Sequence, residues 1–203
     1  MAEGTSRAGG RLVAAFDFDG TITRRDTLVP FLRQVAGHRG FGAAFVAALP
    51  ALRAAERREA YKAAVLHRIL GGLRATDLHA EARAYGSGLP AQFRPDVVDR
   101  IRWHQGEGHE VVIVSASLRA YLEPVVEELG LDGVCAVELE VDGEGTLTGH
   151  MVGANCRGPE KVRRLTHWLG GEMPTRLWAY GNSSGDRELL AAAQEPTWVG
   201  RRH

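Results

Sequence analysis

Three short apolar runs constrain this chain most: Leu12 to Phe16, Val111 to Val114 and Arg176 to Tyr180, each ending at once in polar residues and a small-residue turn. Runs of that length leave no polar face, so they predict strands buried on both sides, as in a parallel sheet. A fourth run, Thr197 to Val199, lies near the C-terminus. Between them, Val97 to Gln105, Leu118 to Leu129 and Glu160 to Leu169 carry apolar residues at helical spacing, with Pro159 at a first helical position. Strands alternating with helices predict a doubly wound α/β core.

Two segments break the alternation. From about Thr27 to Ser87 the chain is rich in Ala, Leu and Arg and is punctuated by Gly37, Gly40, Pro50 and Gly71-Gly72, which predicts several helices in a separate bundle. Its place directly after the first strand makes it an inserted cap. From Ala136 to Val152, Glu138 to Asp142 and Thr146 to Thr148 alternate across Gly143-Glu144-Gly145, the pattern of a β-hairpin. The expected division is a disordered tail at 1–10, a core of 11–26 and 89–203, and a helical cap at 27–88.

Composition bounds the function. Acidic and basic residues balance at 25 each and are interspersed, so no bulk charge suits nucleic acid or an anionic membrane, and a small ligand is expected. No apolar run nears the roughly 18 to 20 residues that span a bilayer, and the first residues lack a signal-peptide core. A cytoplasmic protein without stable membrane association is expected. Cys135 and Cys156 fit no paired metal spacing and suit buried thiols in a reducing compartment.

In an open parallel sheet ligands bind beyond the carboxyl ends of the strands, so the residues there matter most. The first strand ends on Asp17 and Asp19, the second on Ser115-Ala116-Ser117, the third on Asn182-Ser183-Ser184-Gly185-Asp186. Residues two apart on a strand face the same side, which sets Asp17 and Asp19 together. Like charges so close favour a hard cation such as Mg²⁺; one carboxylate could then attack phosphorus while the other moves a proton. The same pair would also serve as turn caps. Ser115 at a helix start could cradle an anion, or Ser117 could cap that helix. Lys161 and Lys62 are the two lysines of a chain that otherwise uses Arg. Lys161, in a first helical turn, opposes the helix dipole, and a compact point charge there suits a phosphate, or serves as a solvated surface lysine near Glu160. Asp186 and Asn182 offer metal-ligating oxygens, or Asp186 caps the helix from Arg187 to Ala193.

Together these residues resemble the haloacid dehalogenase superfamily, specifically its phosphoserine-phosphatase-like subgroup, over nearly the whole chain. The motifs are Asp17-Phe18-Asp19-Gly20-Thr21, Ser115, Lys161, and the loop Gly181 to Asp186. The resemblance implies a Mg²⁺-dependent phosphatase acting on a small phosphomonoester through an aspartyl-phosphate. It implies Asp17 as nucleophile, Asp19 as general acid and base, and Gly20, Ser115, Ala116 and Lys161 around the phosphoryl group. It implies Asp17, Asp19, Asn182 and Asp186 at the metal. Asp19 disfavours a dehalogenase, whose members lack the second acid. Asp26 matches a Glu that meets the substrate amine in phosphoserine phosphatases, and Lys62 falls near their carboxylate-binding Arg. Asn182 departs from the pattern, which has an acid there. That departure motivates an alternative, a catalytically weakened phospho-ligand binding protein. The apolar stretch Phe41 to Leu52 motivates another, a phosphotransferase or lipid-headgroup phosphatase.

Overall fold

The computed structural model describes residues 10–200. The tail expected at 1–10 therefore lies, but for Gly10, outside the described residues. Five parallel strands form the core sheet: β1 (Leu12–Phe16), β2 (Glu110–Leu118), β3 (Gly133–Val137), β6 (Arg176–Gly181) and β7 (Glu195–Trp198), in the order β3-β2-β1-β6-β7. Val13 to Phe16 and Val111 to Val114 are all fully buried, so both faces of the centre are covered, as their unbroken apolar runs require. The chain runs from β1 outward through β2 to β3, then crosses back to β6 on the other side of β1 and on to β7, so a crevice opens at this switch in strand order, beyond the carboxyl ends of β1, β2 and β6.

The helices α4 (Pro95–Gly106), α5 (Arg119–Leu129), α6 (Pro159–Trp168) and α7 (Arg187–Ala192) cover the sheet, with Pro159 in the first turn of α6. Two core elements differ from expectation. β3 was not anticipated as a strand: it is a short edge run with Gly133 and Cys135, and the alternation of the following hairpin masks its end. β2 runs past Val114 to Leu118, with a register shift against β3 between those residues. That irregularity frees Ser115-Ala116-Ser117 from regular pairing and turns them toward the crevice.

Between β1 and β2 lie α1 (Leu28–Ala48), α2 (Arg57–Leu70) and α3 (Ala75–Ser87). Gly37 interrupts α1 with φ +66°, whereas Gly40 stays helical. α3 packs close on α5 because Gly86 has no side chain: a Cβ there would lie 2.4 Å from the Tyr121 carbonyl oxygen. The chain enters and leaves this layer through adjacent segments, Thr23 bridging Phe93 and the Arg94 amide donating to the Ile22 carbonyl at 2.8 Å. The hairpin β4 (Leu139–Val141) and β5 (Leu147–Met151) reaches from the core to the helical layer. Its Leu147 exchanges backbone hydrogen bonds with Gly72 and Leu73, at 2.9 Å each.

Leu28 to Arg53 form a helical stretch, mostly unburied, that is long and apolar enough to cross a membrane by length and composition. Counting unbroken apolar runs missed it because Arg33 and Arg39 interrupt the runs without interrupting the helix.

Beneath the crevice, Phe16 stacks on Tyr180 at 4.2 Å and meets the fully buried His104 edge-on. His104 joins the Tyr180 hydroxyl at 2.9 Å and His109 Nδ1 at 2.8 Å. Burial, then the nearby His109 and Arg100, push its imidazole down to about 4. The unfolded chain binds this proton below about 6.5 and the folded chain only near 4, so His104 costs stability as pH falls through that window. Urea denaturation at pH 7, 5 and 4 should show His104→Gln losing less stability on acidification than wild type, by up to about 3 kcal/mol.

Candidate active site

Asp17 follows β1, and its amide donates to the Tyr180 carbonyl at 2.8 Å, which fixes it between two strand ends. Its buried carboxylate accepts from Lys161 Nζ at 2.6 Å on Oδ1 and from Thr21 Oγ1 at 2.9 Å on Oδ2. Lys161 arrives from the first turn of α6. Its ammonium also donates to Asp186 Oδ1 at 2.6 Å and to the Val114 carbonyl at 2.7 Å, so all three N–H groups are engaged. One lysine thus gathers the ends of β1 and β2 and the loop after β6.

That single cation serves two carboxylates unequally. Asp186 Oδ2 also accepts from the Ser183 amide and hydroxyl at 2.8 Å each and from the Asn182 amide at 3.2 Å. Burial pushes Asp186 up, but Lys161 and the Ser183 donors outweigh it and hold the carboxyl below its usual range. At Asp17 burial prevails over the same lysine, and the charge of Asp186 adds to it, so its carboxyl lies above that range. Burial would lower the Lys161 ammonium; the two carboxylates hold it up. Asp17 is left short of positive charge.

Beside it, Asn182 Oδ1 is buried with no hydrogen-bond partner among the described residues. An orphaned buried acceptor costs about 1–3 kcal/mol. Gly20 makes room for this side chain: its φ is +80°, and a Cβ on it would lie 1.9 Å from Asn182 Nδ2. Among the described residues no three His, Cys, Asp or Glu side chains are disposed to hold a metal, so a cation here would need amide and backbone carbonyl oxygens beside carboxylate. An unpartnered carbonyl against Gly20, in the loop whose Asp186 shares Lys161 with Asp17, fits a hard divalent ion.

Asp19 engages other partners than Asp17. Its Oδ1 accepts from the Thr27 amide at 2.8 Å and hydroxyl at 2.6 Å, and its Oδ2 from Ser117 Oγ. Burial pushes its carboxyl up to about 6 against the hydrogen bonds from Ser117 and Thr27, with Asp26 and Asp17 contributing. Ser117 is therefore not a helix cap: Leu118 holds that position on α5 and no side chain caps it. Asp186 likewise makes no side-chain cap on α7; it closes a capping box with Ser183 one turn earlier. Ser115 is buried, and its Oγ accepts from the Ser117 amide at 3.1 Å.

Lys62 reaches the crevice from α2. It donates to the Ala116 carbonyl at 2.5 Å and to Asn155 Oδ1 at 2.6 Å, while Asn155 Nδ2 donates to Glu59 Oε2 at 2.5 Å. Burial pushes its ammonium down to about 8, against the charge of Glu59. Asp26 is exposed, and its Oδ1 accepts from the Val29 amide in the first turn of α1 at 2.9 Å. Asp19, Asp26, Arg58, Lys62, Ala116 and Arg157 wall a cavity of about 220 Å³. It adjoins a cleft of about 760 Å³ through Glu59, Asn155 and Arg157. Cavities of about 340 Å³ beside α5 and beside α6 contain none of these groups. Sequence reasoning missed Thr27, Asn155, Glu59 and Arg157, which lie in no motif; Ser117 was visible only as a cap. Both cysteines are free and buried, and burial pushes their thiols up, to about 12 for Cys135 and about 11 for Cys156.

Comparison with known proteins gives the family and the fold. The sequence profile of haloacid dehalogenase-like hydrolases matches residues 14–191. Protein CicA of Caulobacter vibrioides is 37% identical over 187 residues, 91% of this chain and 84% of its own length. A phosphoserine phosphatase of Mycobacterium tuberculosis is 31% identical over 119 residues, 53% of this chain but 29% of its own. A crystal structure of phosphoserine phosphatase in its apo form shares the fold with a TM-score of 0.61 at 19% identity, covering 90% of this chain and 83% of its own.

The shared lysine makes a stability prediction. Lys161→Met leaves two buried carboxylates facing each other and should cost about 3–5 kcal/mol in urea denaturation. Adding Asp186→Asn should restore part of the loss.

Proposed function

The chain belongs to the haloacid dehalogenase-like hydrolases, and we propose that it is a Mg²⁺-dependent phosphatase that carries the phosphoryl group of a small phosphomonoester on Asp17. The observation that carries this reading is the Asp17–Lys161–Asp186 triad set beside the unpartnered Asn182 Oδ1.

In this reading an Asp17 carboxylate oxygen attacks phosphorus, and the bond from phosphorus to the ester oxygen breaks as Asp19 gives that oxygen its proton. A carboxyl pushed up to about 6 keeps a protonated fraction near neutral pH, which suits the task. Water then attacks the aspartyl-phosphate, returns a proton to Asp19, and frees Asp17 and inorganic phosphate. Gly20, Ser115 and Ala116 would face the phosphoryl oxygens, and Lys161 supplies the positive charge that steadies both Asp17 and the transferring group. Mg²⁺, held by the Asp17 carboxylate, the Asp19 backbone carbonyl and Asn182 Oδ1, would offset phosphoryl charge. Asp186, whose two oxygens accept from protein donors, would hold the ion only through water. The unpartnered Asn182 oxygen favours this reading over a phospho-ligand binding protein. Substitution of an acid by Asn there removes one negative charge and should weaken the metal.

Residues 27–88 act in this reading as a cap. Its support is Lys62, which crosses from α2 to the Ala116 carbonyl, and the paired connections at Thr23 and Phe93, which would let the layer move as a unit. Lys62 and Asp26 would meet polar groups of the leaving portion. The buried free thiols suit a reducing cytoplasm.

Phosphate release from amino-acid, sugar, nucleotide and glycerophospholipid phosphates, with and without Mg²⁺, tests the activity. Asp17→Asn should abolish turnover and the acid-trapped phosphoprotein seen by mass spectrometry; turnover by that variant, or full wild-type turnover without divalent ions, contradicts the mechanism. Asn182→Asp should tighten Mg²⁺ binding by about an order of magnitude in calorimetric titration, since ligand charge sets affinity at such sites. Lys62→Met should raise KM about 10- to 100-fold with a smaller effect on kcat, the loss of one charged hydrogen bond.

A further inference from the structure

The outer face of α1 and the turn after it carry a charge pattern found nowhere else in the chain. Between Asp26 and Glu56 there is no acidic residue, while Arg33, Arg39 and Arg53 fall inside that interval and Arg57 and Arg58 follow it. All five arginines are exposed. None takes part in an ion pair among the described residues. On the same segment Val46, Leu49 and Leu52, three residues apart, are 67%, 51% and 41% exposed. Ala44 and Ala48, which alternate with them, are buried.

An exposed apolar stripe on a segment that carries exposed arginines and, from 27 to 55, no acid matches a helix lying at the headgroup level of an anionic bilayer. We propose that the Val46–Leu52 face docks on an anionic lipid surface, with the helix lying in the plane of the interface. Packing excludes a spanning orientation. Phe31 and Leu32 are 0% and 2% exposed, with Phe31 against Tyr85 and Tyr121, and Gly37 breaks the helix between them and the stripe. Charge favours lipid over a second copy of the chain, because a twofold contact through this face would bring the arginines of both copies together. Docking would also orient the catalytic crevice, since Arg58 walls it and Ala54 and Glu56 wall the adjoining cleft. The overall charge balance that argued against a membrane surface conceals this local imbalance.

Co-sedimentation with vesicles of phosphatidylcholine alone and of phosphatidylcholine mixed with phosphatidylglycerol tests the proposal at low and high salt. The protein should sediment with the mixed vesicles at low salt, be released by high salt, and stay free of phosphatidylcholine alone. Val46→Asp/Leu49→Asp/Leu52→Asp should abolish binding. Arg39→Gln/Arg53→Gln should weaken it roughly 30-fold, about a factor of 5 per arginine. Both variants change exposed residues and should keep the wild-type melting temperature. Failure to bind mixed vesicles at low salt, or wild-type binding by either folded variant, overturns the proposal. So does a dimer in solution that the triple variant abolishes, which would make the face a subunit interface.

Discussion

The arrangement of the crevice depends on the Lys161 ammonium. Its three donors reach a carboxylate after β1, a carbonyl in β2 and a carboxylate after β6, so one side chain ties three separately coded strand ends into one site. Burying a lysine is expensive unless it is fully paired, and here every proton has a partner. The remaining imbalance falls on Asp17, because Asp186 has more donors of its own. That asymmetry gives two aspartates of the same chemistry different surroundings, Asp186 held below the usual carboxylate range and Asp17 above it.

A second dependence runs through the helical layer. The segments that enter and leave it lie side by side, and the hairpin from the core adds backbone hydrogen bonds at its far end. Lys62 and Asn155 then meet across the crevice, one from each side. The layer is thus held to the core at its root, at the hairpin and at the mouth of the crevice, which lets its side chains contribute to a pocket whose floor belongs to the sheet.

Much of the fold was legible because burial on both faces demands unbroken apolar runs, and β1, β2 and β6 obey that rule. β3 escaped because an edge strand is short and its residues need satisfy only part of it. The helical stretch from Leu28 to Arg53 escaped as a candidate membrane helix because composition was judged by runs, and helix continuity tolerates interspersed arginines. In the crevice, Asp17, Asp19, Ser115, Lys161 and Asp186 were legible as chemically unusual residues at strand ends or a helix start. Thr27, Asn155 and Glu59 were not, since a threonine, an asparagine and a glutamate on helix or loop carry no pattern that marks them.

The sequence by itself determined the alternation of strands and helices and the positions of the reactive groups, because periodicity and local residue chemistry are encoded over a few neighbouring positions. Only the tertiary structure decided which groups share a proton, a lysine or a carbonyl. Asp17 and Lys161 are 144 residues apart and Lys62 and Asn155 are 93 apart, so their 2.6 Å contacts depend on how the whole chain packs. It likewise decided that Ser117 serves Asp19 instead of a helix end, and that Gly20 must be glycine because Asn182 lies against it.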